Sequence, residues 1–287
     1  MTRIAIFQSR TGVDPAANAQ ALTEAIGQAA RGGAEMLFTP EMSGLLDRDV
    51  QRARGNVTSE EQDRVLVACR NAAKRNKIWV HIGSLAVTAE DEKFANRGFV
   101  IDSGDIRASY DKIHLFDVDL PTGESWRESN VYRGGSEAVV VEGTPLGKLG
   151  LTICYDLRFP ALYRALGEAG ASFLAIPSAF TRQTGEAHWH ALMRARAIEN
   201  GCYVLAAAQG GKHENGRETF GHSLVVDPWG RIVAEGGTEP GVIFAEIDPA
   251  EVAKARSRVP SLQHGRRFEV VEPLAEPTHL RAVRGPA

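Results

Sequence analysis

The 287-residue chain reads as an α/β protein: one large layered domain in which helices cover mixed sheets on their outer faces. Three observations predict this. Apolar runs with strand character are interleaved with stretches of helical spacing. Hydrophobic residues make up 43 % and charged residues 24 %, close to ordinary globular usage, so a sizeable buried core is available. No repeat, low-complexity tract or composition shift marks a linker. The domain is assigned to residues 1–270, with 271–287 as a C-terminal tail lacking periodicity.

The elements follow in order. TRIAIFQ alternates like a strand, and Asp14-Pro15 offers an N-cap and first helical residue before Leu22, Ala25, Ile26 and Ala29 at helical spacing. MLFTP is a short apolar strand, and Ser59 with Gln62 suggests a capping box for a second helix whose apolar face carries Val65, Leu66, Cys69 and Ala73. From residue 78 the pattern becomes consecutive strands, IWVHIGSLAV, FANRGFVID and IRASYDKIHLF, read as antiparallel neighbours. Residues Asp117 to Glu137 are polar, glycine-bearing and aperiodic, which predicts a long loop, of a length that is usually functional or disordered. Strands resume at EAVVVE and GKLGLTIC, a helix follows Pro160, then strand SFLAIP, a helix from about Gly185 to Asn200, and strands YVLAAA, HSLVVD and VIFAEID.

Charge and cysteine usage exclude several functions. Lys plus Arg (33) against Asp plus Glu (36) gives a net charge of -3 with no basic block, so nucleic-acid binding is not expected. No signal peptide or run of apolar residues long enough for a membrane span is found, and no membrane partner is expected. Three scattered cysteines fit neither a disulfide framework nor a zinc site, which makes a reducing, cytoplasmic setting the default. The closest approach to a G-x-S-x-G elbow, GHSLV, lacks the second glycine, and P-loop and dinucleotide fingerprints are absent. His188 and His190 in HWH invite a metal, but helical residues two apart do not share a face and no neighbouring Cys or HExxH pattern supports one, so no metal is expected.

Three residues invite chemistry. Cys154 ends the apolar strand LGLTI and opens the turn CYDLRFP, a strand end where ligands bind in α/β proteins. A thiolate there is a nucleophile flanked by free N–H groups, although a buried structural cysteine is the plainer reading of that position alone. Glu41 stands directly after MLFTP, where Pro40 limits the backbone; a solvated turn glutamate is its plain alternative. In SYDKIHLF, alternation puts Lys112, His114 and Phe116 on one face, and edge-strand protection is the competing explanation for the lysine. Cys69 and Cys202 read as buried small hydrophobes.

Taken together, TPEMSG, YDKIHLFD and CYDLRFP occur in the order of, and resemble, the three motifs of the nitrilase (carbon-nitrogen hydrolase) superfamily. The resemblance runs from RIAIFQ to VPSLQHGRRF, and PSAFTRQTGEAHWHALMRARAIEN with YVLAAAQGGKHENGRETFGHSLVVDPWG is most similar to the branch of the deaminated-glutathione amidases, with the ω-amidases as near relatives. It implies a four-layer αββα sandwich that assembles into homodimers or larger homo-oligomers, with the helix after Cys154 and the one spanning Glu186 to Asn200 as interface elements. It implies a catalytic triad of Glu41 as general base, Lys112 as oxyanion holder and Cys154 as nucleophile, with the Tyr155 N–H as second oxyanion donor. The implied reaction, which needs no cofactor, is hydrolysis of a small linear amide to acid and ammonia through a thioester, with a nitrilase or N-carbamoyl hydrolase as alternatives using the same triad, and a silent scaffold as the alternative of another class.

The same resemblance lifts Glu128 in SWRESN to a second acid beside the site. It also brings Phe180 and Thr181 to the substrate pocket, with a plain loop before a capped helix as the alternative, and Phe116 is a further expected substrate-binding residue. Arg158 and Arg182 are expected carboxylate clamps because a planar guanidinium suits an acid group, with surface ion pairs as the alternative.

Overall fold

The computed structural model describes residues 1–89, 93–120 and 123–270. The expected tail, 271–287, and Pro121 of the predicted loop lie outside the described residues.

In the first half, β1 (Thr2–Gln8), α1 (Pro15–Arg31), β2 (Met36–Phe38), α2 (Val50–Asn56), α3 (Arg64–Asn76), β3 (Trp79–Thr88), β4 (Phe94–Asp102) and β5 (Asp105–Asp111) follow one another. The Asp14 side chain accepts from the Ala16 N–H and Pro15 opens α1, as the sequence predicts. The expected Ser59–Gln62 box does not cap the next long helix. Those residues form a separate 3-10 turn, and the Asp63 carboxylate caps α3 by accepting from Leu66 N. An aspartate adjacent to the first helical residue competes better for the free N–H groups than a serine four residues upstream.

Short pieces occupy the predicted loop: the hairpin β6 (Asp117–Asp119) and β7 (Ser125–Arg127), then β8 (Tyr132–Arg133). The second half contains β9 (Val139–Thr144), β10 (Gly147–Leu151), α4 (Pro160–Glu168), β11 (Phe173–Ala175), α5 (Arg182–Asn200), β12 (Tyr203–Ala206), β13 (Gly210–Lys212), β14 (Glu218–Phe220), β15 (Leu224–Val226), β16 (Ile232–Glu235), β17 (Gly241–Ile247) and α6 (Ala250–Arg258). α5 begins earlier than its apolar periodicity suggests, because Thr181 caps it by accepting from Thr184 N.

The strands form two main sheets. One runs β17-β1-β2-β3-β4-β5, with β8 beside β4, and the other β16-β15-β12-β11-β10-β9. In each, three central parallel strands are flanked by antiparallel ones. Alternation along β1 shows the layering: Ala5 and Phe7 pack with Leu22 and Ile26 of α1 and Leu66 of α3, while Ile4 and Ile6 join Leu149, Leu151 and Phe173 of the other sheet. Trp189 and Met193 of α5 and Leu162 and Leu166 of α4 cover the second sheet. The result is the αββα sandwich, helices outside and two sheets face to face.

Two imidazoles are buried in this frame, His81 on β3 and His213 near β13; burial pushes His81 down to about 3 and His213 to about 4. An unfolded imidazole binds a proton near pH 6.5, whereas these stay neutral when folded, so stability is held above about 6.5 and lost as pH falls. Between about pH 6.5 and 5, His81 alone contributes a loss of about 2 kcal/mol. Urea unfolding of His81→Leu should therefore show a smaller acid-induced drop than the parent chain; an equal drop removes His81 as a source.

Candidate active site

The carboxyl ends of strands from both sheets meet at one place. After β2, Thr39 and Pro40 lead to Glu41, and the loop is pinned by Ser43 Oγ donating to Pro40 O (2.6 Å) and Gln209 Nε2 donating to Glu41 O (3.0 Å). Gly83 on β3 permits this approach: a Cβ there would lie 2.1 Å from Thr39 O, 2.5 Å from Pro40 O and 2.4 Å from Pro177 Cβ of the opposite sheet's loop.

Cys154 follows β10 as the first residue of a 3-10 segment, Cys154–Arg158, with φ of 50°, a left-handed conformation that non-glycine residues rarely hold. Its N–H donates to Pro177 O at 2.9 Å, which fixes the turn against the end of β11. The Tyr155 N–H, in the first turn, has no intrahelical acceptor by position.

Lys112 does not continue β5, which stops at Asp111, so the expected shared face with His114 and Phe116 does not form. The chain turns instead. Lys112 points at the two carboxylates, while His114 stacks on Phe159 with ring centroids 3.5 Å apart and bonds Asp156. Asp156 is fully buried and its carboxylate accepts from Tyr110 Oη (2.7 Å), the Ile153 N–H (2.8 Å), the His114 N–H (3.0 Å) and His114 Nδ1 (2.7 Å). This one side chain ties the cysteine turn to the lysine turn.

The buried ammonium of Lys112 donates to Glu41 Oε1 at 2.9 Å and to Glu128 Oε2 at 2.8 Å. Asn96 Nδ2 on β4 bridges the same two acids at 3.0 and 3.1 Å, and the second Glu41 oxygen accepts from the Ala179 N–H at 3.0 Å. Glu128 also accepts from the Phe116 N–H at 2.6 Å.

Charge states follow from these neighbours. Burial works to raise the Glu41 carboxyl, but the Lys112 charge, the Cys154 thiol and Arg217 outweigh it and hold Glu41 below the usual carboxylate range. Burial and then the Glu41 charge push the Cys154 thiol well above the usual thiol range, with Lys112 countering only in part. Burial opposes the Lys112 ammonium, yet Glu128 and Glu41 hold it charged. The arrangement is a neutral thiol beside an ionised base and a fixed cation, which can deprotonate sulfur as it attacks and hold an oxyanion.

A cavity of about 480 Å³ opens over these groups. Of the residues expected in the pocket, Phe116, Tyr155, Arg158, Phe180 and Thr181 line it. Arg182 does not: it lies on the surface, paired with Glu186 (2.9 Å) and Glu218 (3.2 Å), because the first residue of α5 points outward along the helix side. Cys69 and Cys202 are buried away from the cavity, as read from the sequence.

Residues that the sequence did not single out also line the cavity. Asn96 was legible only as a polar residue within an apolar strand. Arg48 and Arg217 place their guanidinium carbons 4.7 and 4.8 Å from the ring centroid of Trp126, and Arg217 donates to Ala179 O. They come from segments more than 150 residues apart, with nothing local to mark them.

Gly83→Ala should push the Glu41 loop and Pro177 apart. The expected cost is about 1–3 kcal/mol of stability with a larger loss of kcat; unchanged urea midpoint and turnover would show that the close approach is dispensable.

Residues 3–257 match the carbon-nitrogen hydrolase family. The chain is 37 % identical over 267 residues to a deaminated glutathione amidase of Yersinia enterocolitica, covering 92 % of each chain. Its structure is similar to that of Saccharomyces cerevisiae Nit3, a member of branch 10 of the nitrilase superfamily, with a TM-score of 0.82, 30 % identity and coverage of 93 % of this chain and 97 % of that one. It is also similar to a Glu-to-Gln mutant of the amidase from Nesterenkonia sp. AN1 showing covalent addition of the acetamide moiety of fluoroacetamide at the active site cysteine (TM-score 0.77, 28 % identity, 92 % of this chain and 94 % of that one). With 255 of its 287 residues inside the family match and the two sheets arranged as in these structures, the chain belongs to the carbon-nitrogen hydrolase family.

Proposed function

We propose that this amide-hydrolysing enzyme acts on a small linear ω-amide bearing a carboxylate, of the deaminated-glutathione type, and releases acid and ammonia or amine. The observation that carries the reading is the buried set of Glu41, Lys112 and Cys154, with the carboxylate ionised and the thiol neutral at rest.

In the proposed cycle Glu41 takes the thiol proton as sulfur attacks the amide carbonyl, and Lys112 with the Tyr155 N–H carries the oxyanion. Glu41 then gives the proton to the departing nitrogen, leaving an acyl thioester on Cys154. A water, deprotonated by Glu41, attacks the thioester and the acid leaves as the thiol regains its proton. Glu128 and Asn96 hold Lys112 and Glu41 in place throughout. Arg158 and Arg217 on the cavity wall offer guanidinium groups to an anionic substrate, with Arg48 beside them paired to Glu124 at 3.4 Å.

The same reading includes a reducing cytoplasmic setting, which keeps Cys154 reduced, and self-association. Exposed Ile198 on α5 and exposed Trp229 flank Gly230 and form an apolar surface suited to a second copy, a state light scattering would report. Among the described residues no helix is long and apolar enough to cross a membrane.

Ammonia release from α-keto ω-amides, with none from the matching nitriles, is the expected outcome; turnover of nitriles alone would reverse the substrate class. Iodoacetamide should label Cys154 and abolish activity. Glu41→Gln should fold and bind yet lose the chemical step, since the amide keeps the shape but cannot shuttle a proton. Wild-type kcat in that variant refutes the assigned base. Lys112→Ala should lose about 3 kcal/mol or more of transition-state stabilisation, read as kcat/KM.

A further inference from the structure

His188 and His190 leave α5 in different directions, as their spacing requires. His188 Nδ1 meets Arg158 Nη2 at 3.3 Å, but His190 turns to the β15–β16 hairpin and finds two partners there. His190 Nε2 lies 2.7 Å and His222 Nδ1 2.9 Å from the same oxygen, Oε1 of Glu235. The three ligand atoms all fall within 4.8 Å of one another.

We propose that His190, His222 and Glu235 form a surface site for one divalent transition-metal ion of the zinc type. Two imidazole nitrogens and a carboxylate oxygen are a donor set that zinc accepts, with water completing the coordination. Bonds of about 2.0–2.1 Å place the ligand atoms of a tetrahedral zinc roughly 3.4 Å apart, between the shortest and longest separations in this cluster. On binding, each neutral imidazole presents to the ion the nitrogen that faces Oε1, its N–H proton passing through solvent to the other ring nitrogen.

The ligands are built in place rather than loosely displayed. His222 holds a left-handed backbone with φ of 54°, its N–H donating to Gly237 O at 2.7 Å and its carbonyl accepting from Trp189 Nε1 at 2.9 Å. Glu235 sits opposite Leu224 in the β15–β16 ladder, and the Phe220 ring stacks on His222 with centroids 4.5 Å apart and meets His190 edge-on at 6.0 Å. Each of the three side chains is about one-third exposed, leaving room for water ligands. None of the three lines the catalytic cavity. The bound ion would join α5 to the hairpin. Through Trp189, which packs edge-on against Phe180 at 5.1 Å, it would brace one wall of that cavity.

The test is a Zn²⁺ titration of the full chain carrying Cys154→Ala, so that the cavity thiol cannot compete for the metal. One Zn²⁺ per chain should bind with micromolar or tighter affinity and raise the melting temperature. His190→Ala and Glu235→Gln, added singly, should each weaken binding by roughly tenfold or more and remove the melting shift. Circular dichroism without metal shows whether these partly exposed variants fold. No stoichiometric uptake, or uptake equal in the His190→Ala chain, would overturn the proposal and leave a hydrogen-bonded cluster only.

Discussion

Everything at the centre of this molecule depends on one buried ammonium. Taking Lys112 and its two carboxylates out of water carries a desolvation penalty of several kcal/mol per ion, and the contacts to Glu41 and Glu128, with Asn96 bridging both acids, offset it. Burial and the Glu41 charge make an anion on the Cys154 sulfur unfavourable, while Lys112, with Arg217, holds Glu41 ionised against its own burial. At rest the sulfur is thus held as the neutral thiol beside an ionised carboxylate.

The scaffold serves that charge set through a few rigid ties. Asp156 joins the cysteine turn to the lysine turn with four accepted hydrogen bonds, and Gly83 lets the glutamate loop and the Pro177 loop approach across the two sheets. Both are buried and neither reacts. Their effect is to make the separation between the Cys154 sulfur, the Glu41 carboxylate and the Lys112 ammonium a property of the sandwich rather than of the loops alone.

Much of this was legible in the sequence, for identifiable reasons. Strand alternation and the Asp14-Pro15 cap are local signals, and β1 and α1 followed them. Glu41, Lys112, Glu128 and Cys154 stood out because their surrounding strings resemble the nitrilase superfamily, and the fold brings the four together. Local pattern failed where a long-range partner decided the outcome: Lys112 leaves its strand because Glu41 and Glu128 draw it inward, and Arg182 turns to Glu186 and Glu218 rather than to the cavity. Arg48 and Arg217, which meet at Trp126, carried no local sign at all. The HWH string was read correctly as two separate faces, yet one face acquired His222 and Glu235 from the distant hairpin.

The packing of the two sheets has a mechanical consequence. Glu41 and Lys112 are carried by one sheet and Cys154 by the other, and the half-sites are joined across the sheets by Asp156 and by the Ala179 N–H on Glu41. A displacement of one layer against the other would leave strand pairing and helices intact while straining those cross-sheet ties, so the geometry of the site depends on how the layers seat as well as on its loops.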